Sequence, residues 1–145
     1  MAPQGIGCDV AGAIVTEAAS REATVPQYRP GTHILLDFWG ASGLDDQSFI
    51  EQAMRRAAAA CNATVLETRF HHFGINSGVT GVALLAESHI SIHTWPETGY
   101  VALDVFMCGD CRAEDAIAPL QAAFQPSRLK ITTVGRGTLP ADLSA

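Results

Sequence analysis

Short apolar or alternating segments, separated by turn-forming residues, predict a β-sheet over most of the chain. A period of two residues, or a continuous apolar run of about eight residues or fewer, is typical of β-strands. Six segments have one of these patterns: His33–Trp39, Thr64–Phe70, Val79–Ala86, His89–Trp95, Tyr100–Met107 and Leu129–Val134. In the fourth segment, the alternation predicts that both histidines and Ser91 share one face of the sheet and that both isoleucines share the other.

Two further segments repeat apolar residues with the period of an α-helix. Their predicted limits are Asp46–Cys61, capped by Ser42 or Asp45, and Asp110 or Arg112 to Phe124. The residues expected to face the core are Phe49, Ile50, Ala53, Met54, Ala57 and Ala60 in the first helix, and Ala116, Ile117, Leu120 and Phe124 in the second. The element order, with hairpin-length connections in the middle, predicts an α+β fold. It is a two-layer sandwich with a largely antiparallel sheet and two helices on one face.

The first 30 residues differ in character from the rest of the chain. They contain several glycines and prolines without a sustained apolar period, so residues 1–30 are interpreted as a poorly ordered leader and residues 31–145 as a single domain. The leader lacks the basic start and apolar block of a secretory signal, which favours a cytoplasmic location. The apolar runs are far shorter than the roughly 20 residues of a membrane-spanning helix, so no membrane partner is expected.

Charge and composition narrow the possible partners. The 145 residues are 48% hydrophobic, enough for a genuine core, and nine Lys and Arg stand against fifteen Asp and Glu. The resulting net charge of -6 has the wrong sign for binding a phosphate backbone, so nucleic acid is not expected as a partner.

The four cysteines invite a metal or redox interpretation. They are Cys8, Cys61, Cys108 and Cys111, and the last two form a C-x-x-C pair. A structural zinc site needs four ligands, and no second C-x-x-C motif completes one. We therefore expect reduced thiols and no metal, with one cysteine of the pair reactive on its own.

Chemically capable side chains concentrate between Gly78 and Gly109. They are Thr80, Glu87, Ser88, His89, His93, Glu97 and Cys108. Each has an ordinary structural explanation when it is taken alone, as a turn residue, a solvated acid or a buried thiol. A Ser–His–Asp hydrolase built from Ser88, His93 and Asp104 is disfavoured because the G-x-S-x-G motif is absent, and no phosphate-binding glycine loop is present.

The same region resembles a known family. The runs GVTGVALLAESHISIHTWPETGY (residues 78–100) and DVFMCG (residues 104–109) resemble the short prokaryotic form of S-adenosylmethionine decarboxylase, a pyruvoyl-dependent family of polyamine synthesis. Weaker similarity extends from Pro30 through the first helix to Gly137.

The resemblance implies a proenzyme that cuts its own chain before Ser88. Cleavage at Glu87–Ser88 would give a β chain of residues 1–87 and an α chain of residues 88–145, with Ser88 converted to a covalent pyruvoyl cofactor. That group would form a Schiff base with S-adenosylmethionine, and the decarboxylated product would donate an aminopropyl group for spermidine synthesis.

Further roles are implied position by position. His93 corresponds to the proton acceptor in processing and Cys108 to the proton donor in catalysis. Thr80 stands in a supporting position where relatives often have serine. Glu97 corresponds to a carboxylate at the substrate, and Phe73 to an aromatic ring that stacks on adenine.

Strand parity conflicts with this assignment, because Ser88 and His93 would point to opposite faces of an unbroken strand. We therefore expect Ser88 to lie in the turn or a bulge to separate the two residues. The resemblance also implies a homo-oligomer, a dimer of cleaved protomers. Two alternatives stay open: the same machinery acting on ornithine or arginine, and a non-catalytic family member that acts as a binding partner.

Overall fold

The computed structural model describes residues 15–16 and 30–143. The strands are β1 Val15–Thr16, β2 Gly31–Trp39, β3 Val65–His72, β4 Val79–Leu85, β5 Ser88–Trp95, β6 Tyr100–Cys108 and β7 Arg128–Arg136, and the α-helices are α1 Gln47–Ala60 and α2 Ile117–Phe124. Short 3-10 turns cover Ala113–Ala116 and Ala141–Leu143. Most of the predicted leader lies outside the described residues, so its poor order stays a prediction.

All the strands belong to one sheet, in the order β1-β7-β2-β6-β5-β4-β3. Every neighbouring pair from β7 to β3 is antiparallel, and β1 pairs with β7 in parallel. The six strands predicted from the apolar pattern are all present, each within two residues of its expected limits. The predicted α+β class and largely antiparallel sheet are confirmed.

Both helices pack on the same side of the sheet, as predicted, and bury its apolar face. Ile34, Ile90 and Val105 are fully buried there against the inward residues of the two helices. We call this side of the sheet the covered face. The opposite side, which we call the open face, carries the alternate residues of each strand and has no helix over it among the described residues. No helix in the part of the chain that the structure describes is long and apolar enough to cross a membrane.

The details of α1 differ from the expectation at both ends. Asp46, rather than Ser42 or Asp45, caps the helix, because its Oδ1 accepts the backbone N–H of Phe49 at 3.0 Å. Ala60 is exposed and Ala58 is buried in its place.

The second helix is shorter than the predicted continuous helix. The segment Ala113–Ala116 forms a 3-10 turn, and α2 begins at Ile117. Pro119 lies in the first turn of α2, where its missing N–H has no helical partner to lose. The buried residues Ala116, Leu120 and Phe124 still face the core as expected.

Candidate active site

The β4–β5 hairpin places the Glu87–Ser88 bond in a tight, strained turn. Leu85 pairs with Ser88, so Ala86 and Glu87 form a two-residue connection. Glu87 has a φ of 62°, in the left-handed region that costs a non-glycine residue roughly 1–2 kcal/mol. The N–H of Ala86 donates to the carbonyl of Thr64 at 2.9 Å and so ties the turn to the chain before β3.

Ser88 is buried at the first position of β5. Its side chain is 7% exposed, and its Oγ accepts the backbone N–H of Cys108 at 3.1 Å. Cys108 ends β6 and is half-buried. The structure therefore brings together two residues, Ser88 and Cys108, that the sequence analysis singled out 20 positions apart.

A cavity of about 520 Å³ lies beside this bond. Its lining comes from five strands, β2, β4, β5, β6 and β7, and from the hairpin turn: His33, Leu84, Leu85, Glu87, Ser88, His89, Phe106 and Arg136. This volume is within the range of small-molecule sites. We call Glu87, Ser88, Cys108 and this cavity the serine end of β5.

His93 and Thr80 form a second cluster on the open face. The two residues are cross-strand partners, and Thr80 Oγ1 lies 3.1 Å from His93 Nδ1. The Thr80 hydroxyl is therefore within hydrogen-bonding distance of the His93 imidazole. His93 is exposed, and its ring lies 6.3 Å from that of Trp95.

The residue after His93 fixes this part of β5 in the fold. Thr94 is buried, and its hydroxyl accepts the N–H of Val79 at 2.8 Å and donates to the carbonyl of Leu44 at 2.7 Å. Gly78 is needed beside it, since a Cβ there would lie 2.0 Å from the Thr94 carbonyl oxygen. The backbone position of His93 is therefore set by its buried neighbour, in addition to the contact of its ring with Thr80.

Phe73 and Glu97 lie at the same end of the sheet as His93. Phe73 follows β3, is 62% exposed and contacts the ring of His71 edge-on at 4.7 Å. Glu97 lies in the β5–β6 turn and lines a cavity of about 450 Å³ together with Asp45 and Asn76. We call Phe73, Thr80, His93 and Glu97 the histidine end of β5.

The structure corrects one expectation directly. Strand β5 pairs with β4 and β6 in continuous register from Ser88 or His89 onward, with no bulge, and Ser88 is a strand residue rather than a turn residue. Ser88 and His93 therefore lie on opposite faces and about 16 Å apart along the strand. In one chain the serine end and the histidine end do not meet.

The hydrolase alternative also fails on geometry. Asp104 contacts His33 and His89 at 2.7 and 3.1 Å, and it accepts a hydrogen bond from the Ser91 hydroxyl. Within the described residues its side-chain partners do not include His93, and Ser88 points to the covered face. Ser88, His93 and Asp104 therefore do not form a triad.

The cysteines do not form a metal site in the described residues. Cys61, Cys108 and Cys111 are free, and Cys8 lies outside the described part. Burial raises the pKa of Cys61 to about 11, with the charge of Asp115 adding to the effect. The one group of possible metal ligands found among these residues is His33, His89 and Asp104, which contains no cysteine.

Sequence reasoning missed the roles of His33, Phe106 and Arg136. His33 and Arg136 lie on β2 and β7, far along the chain from the motif-rich segment. Alternation could have placed each on the open face, but their meeting depends on the strand order, which is a long-range property.

Comparisons with known proteins find one family by both sequence and structure. Residues 32–137 match the sequence profile of the family described as S-adenosylmethionine decarboxylase. A protein named S-adenosylmethionine decarboxylase proenzyme from Thermomicrobium roseum is 43% identical over 110 residues, covering 75% of this chain and 95% of the relative. A protein of the same name from Methanococcus maripaludis strain S2 is 46% identical over 112 residues, covering 75% and 91%. The crystal structure of the adenosylmethionine decarboxylase from Aquifex aeolicus VF5 superposes with a TM-score of 0.69 at 33% identity, covering 78% of this chain and 95% of that chain.

Proposed function

Because the chain belongs to the S-adenosylmethionine decarboxylase family, we propose that it is a proenzyme that cuts itself at Glu87–Ser88 and then decarboxylates S-adenosylmethionine. The observation that carries this proposal is the strained hairpin turn, with the Ser88 hydroxyl held at the bond to be cut. The product would serve as an aminopropyl donor for spermidine synthesis. Neither the names of the relatives nor the described residues favour an ornithine or arginine decarboxylase, or a non-catalytic binding partner.

Self-cleavage needs the side chain of Ser88 and a proton acceptor. The Ser88 Oγ attacks the Glu87 carbonyl carbon, the C–N bond breaks, and an ester replaces the peptide bond. A base then removes the Cα proton of residue 88, the Cβ–O bond breaks, and Glu87 leaves as a carboxylate. The remaining dehydroalanine takes up water and releases ammonia, which leaves the pyruvoyl group. The left-handed conformation of Glu87 supports this step, because strain in the turn is released when the chain is cut.

The residues of the serine end suit the pyruvoyl group. When present, its ketone supplies an electron-accepting carbonyl to the substrate through Schiff-base chemistry. The N–H of Cys108, which donates to Ser88 Oγ in the uncut chain, stays available to an oxygen at residue 88. The backbone of Cys108 contacts residue 88, and we assign the Cys108 thiol the return of a proton to the substrate carbon after carbon dioxide leaves. We propose no metal ion for this site.

His93 cannot serve its own Ser88, so we assign it to the Ser88 of a second copy. The two residues are about 16 Å apart and on opposite faces of β5. Although the Ser88 side chain points to the covered face, Glu87 and Ser88 also line the cavity whose other walls include residues of the open face. A dimer formed through the open face, with the strands of the two chains antiparallel, brings the histidine end of one chain to this cavity at the serine end of the other. Thr80, Glu97 and Phe73 then reach the partner's cavity together with His93.

The open face has the apolar surface that such a dimer needs. Five large apolar side chains on it are 38–49% exposed: Leu35, Trp39, Leu84, Trp95 and Val134. An apolar patch of this kind on a sheet face marks an interaction surface. A two-fold dimer uses the same patch on both copies, so each contact between the chains occurs at two symmetry-related places.

The decisive measurement is the intact mass of the purified protein under denaturing conditions. We expect two fragments, residues 1–87 and residues 88–145, the second carrying a pyruvoyl group at its start. The Ser88→Ala variant should stay uncut, since it has no hydroxyl to attack the Glu87 carbonyl. A wild-type chain that remains whole, or that is cut at another bond, contradicts the proposal. Release of carbon dioxide from S-adenosylmethionine, ornithine and arginine in parallel assays identifies the substrate.

A further inference from the structure

A chain of hydrogen-bonded side chains crosses the open face and ends beside Ser88. It begins at Arg136 on β7, whose guanidinium lies 3.1 Å from Nδ1 of His33 on β2. His33 Nε2 lies 2.7 Å from Oδ2 of Asp104 on β6. His89 Nε2, on β5, lies 3.1 Å from the same oxygen. Four strands are joined in this way, and the chain ends at the residue that follows Ser88.

The partners determine where the protons are. A guanidinium can only donate, so His33 Nδ1 accepts from Arg136, and its proton is on Nε2. That proton is donated to Asp104 Oδ2, which also accepts the Nε2–H of His89. The second oxygen, Oδ1, accepts the hydroxyl of Ser91. Asp104 is therefore a common acceptor that orients both imidazole rings.

The same three residues could be considered as a metal site, because their ligand atoms all lie within 4.8 Å of one another. A histidine that binds a metal through Nε2 must give up the proton there, and its other ring nitrogen normally donates to an acceptor. Here a guanidinium occupies Nδ1 of His33 and requires that the proton stay on Nε2. The geometry favours a hydrogen-bonded chain over a bound cation.

His89 is held on its ring face as well as at its edge. Its ring stacks on Phe106 with centroids 5.7 Å apart and an angle of 5° between the planes. Arg136 lies over the ring of Phe106, 5.9 Å from its centre. With Asp104 at Nε2 and Phe106 on its face, the side chain of His89 has little freedom, although it is part-exposed at the cavity.

Cleavage makes the hold on His89 more important. In the uncut chain, residue 88 is fixed by the peptide bond to Glu87 and by the hydrogen bond from the Cys108 N–H to its Oγ. Conversion to a pyruvoyl group removes both the peptide bond and the Oγ atom. Residue 88 is then the free end of a chain whose nearest anchor is His89.

We propose that Asp104 is a positioning residue that, together with His33, locks His89 and thereby holds the new chain end in place for decarboxylation. This inference rests on the proposed function. It predicts an asymmetry between the two reactions of the same site. Self-cleavage depends little on the fixed position of His89, since the hairpin turn holds residue 88 from both sides. Turnover depends on that position strongly.

The Asp104→Asn variant tests this asymmetry. The amide keeps the size of the side chain, but it has one acceptor oxygen and a donor group in place of the carboxylate, so one imidazole loses its partner. We expect maturation within about threefold of the wild-type rate, and kcat per cleaved chain lower by roughly 10-fold to 100-fold with KM little changed. Rates are measured by gel analysis of newly made protein and by carbon dioxide release, with cleaved chains counted by mass spectrometry.

Two variants of His33 separate positioning from general damage. In His33→Gln, the amide nitrogen can donate to Asp104 and the amide oxygen can accept from Arg136, so kcat should stay close to wild type. His33→Phe keeps a ring but has neither group, and its kcat should fall as in Asp104→Asn. Glu51→Gln is the matched control, because Glu51 also accepts side-chain hydrogen bonds, from Arg55 and Thr68, but lies on α1 away from the cavity. Its kcat should not change.

The outcomes are distinct. If Asp104→Asn and His33→Phe turn over like wild type, or if His33→Gln is as impaired as His33→Phe, the proposal is wrong. It is also wrong if folded Asp104→Asn protein fails to mature, or if Zn²⁺ raises the melting temperature of wild type but not of Asp104→Asn, which would identify a metal site instead. A wild-type chain that never cuts itself rejects the proposed function and not this inference alone.

Discussion

The two ends of β5 differ in how complete they are within one chain. At the serine end, Ser88 is 7% exposed, its hydroxyl has a partner, and a strained turn and a cavity lie beside it. At the histidine end, His93 faces outward from the open face and contacts Thr80 alone among polar side chains of the described residues. The fold thus builds the setting of the proposed nucleophile, Ser88, within one chain and leaves the proposed proton acceptor, His93, facing away from it.

This difference follows from a property of strands. Five steps along β5 turn a side chain to the opposite face, and no bulge reverses that parity. Ser88 points to the covered face, which packs against the helices, so it does not meet His93 on the open face of the same strand. We infer that assembly of two chains, rather than a local irregularity, completes the site.

Mixing two inactive variants gives the largest expected effect. It distinguishes a His93 that acts on the Ser88 of its own chain from one that acts on the Ser88 of a second chain. His93→Ala should cut itself about 10²-fold to 10⁴-fold more slowly than wild type, since it lacks the proton acceptor. Ser88→Ala should not cut at all. When the two are unfolded and refolded together at equal amounts, the Ser88 of one chain meets the His93 of the other, and about a quarter of all chains should become cut.

Two observations would count against assembly in that experiment. The first is a mixture that stays as uncut as the separate variants, which would assign His93 to its own chain. The second is a wild-type rate of self-cleavage that stays the same when the protein is diluted until its dimers have fully dissociated. Either result would require β5 to rearrange before cleavage.

Replacing Cys108 tests the chemistry of the serine end alone. Cys108→Ala keeps the backbone N–H that donates to Ser88 Oγ, so the chain should still cut itself. Turnover should fall by about 10²-fold, because the thiol that returns the proton is gone. Carbon dioxide release per cleaved chain measures this loss. Cys111→Ala is the control, since its Sγ faces the carbonyl of Asn62 at 3.5 Å, and equal losses in both variants would remove the role of Cys108.

The aromatic side chains of the open face beside the histidine end test the interface. Trp39 is 38% exposed and stacks on Tyr100 with centroids 5.7 Å apart. In the uncut Ser88→Ala background, Trp39→Ala should weaken dimerisation by about 2 kcal/mol, or roughly 30-fold in Kd, as for a buried interface tryptophan. Sedimentation velocity over a dilution series measures this change. Leu139→Ala, 59% exposed but beyond β7, should leave Kd unaltered, and a similar shift in both would argue against the open face.

The fold was largely predictable because its signals are local. Alternation along His89–Trp95 and the apolar stripe of α1 each depend on neighbouring residues, and both appear in the structure. The predicted start of α2 was wrong, because Pro119 in its first turn is compatible with both a helix and the turn before it. The burial predicted for Ala60 was wrong by less than one helical turn, since Ala58 is buried instead. Local patterns identify elements and faces better than they locate ends.

The site was predictable as a set of residues but not as an arrangement. The motif around Ser88 and His93 named the residues, and the expectation of a bulge arose from assuming that both act within one chain. The hydrogen-bonded chain through His33 and Asp104, 71 residues apart, depends on β2 and β6 being neighbours. No pattern within either strand contains that information.

The hydrogen bond between Tyr100 and Asp37 gives the smallest expected effect. Tyr100 is the cross-strand partner of Trp95, next to the histidine end, so it reports whether that end is already built in one chain. Tyr100 donates its hydroxyl proton to Asp37 Oδ1 at 2.5 Å. This bond, aided by burial, raises the pKa of Tyr100 to about 12 from an ordinary value of 10.0. A tyrosine with a raised pKa in the folded state stabilises the fold fully below pH 10.0, and that contribution is lost as the pH rises through about 12.

Tyr100→Phe should therefore lower the free energy of unfolding by about 1 kcal/mol at pH 8, a value kept small because the pair is part-exposed. The difference from the parent protein should shrink at pH 11, because Tyr100 ionises in the unfolded parent above pH 10.0 and stabilises that state, while the folded parent still keeps the proton. Urea unfolding in the uncut Ser88→Ala background measures both values.

In a Tyr28→Phe background, where Tyr100 is the remaining tyrosine of the two, absorbance at alkaline pH reads its ionisation directly. Late ionisation in dilute, monomeric protein means that the histidine end is formed before assembly, so the partner contributes contact rather than structure. Ionisation near pH 10 would mean that this end is ordered by the partner, and the contrast between the two ends of β5 would then be one of folding as well as of exposure.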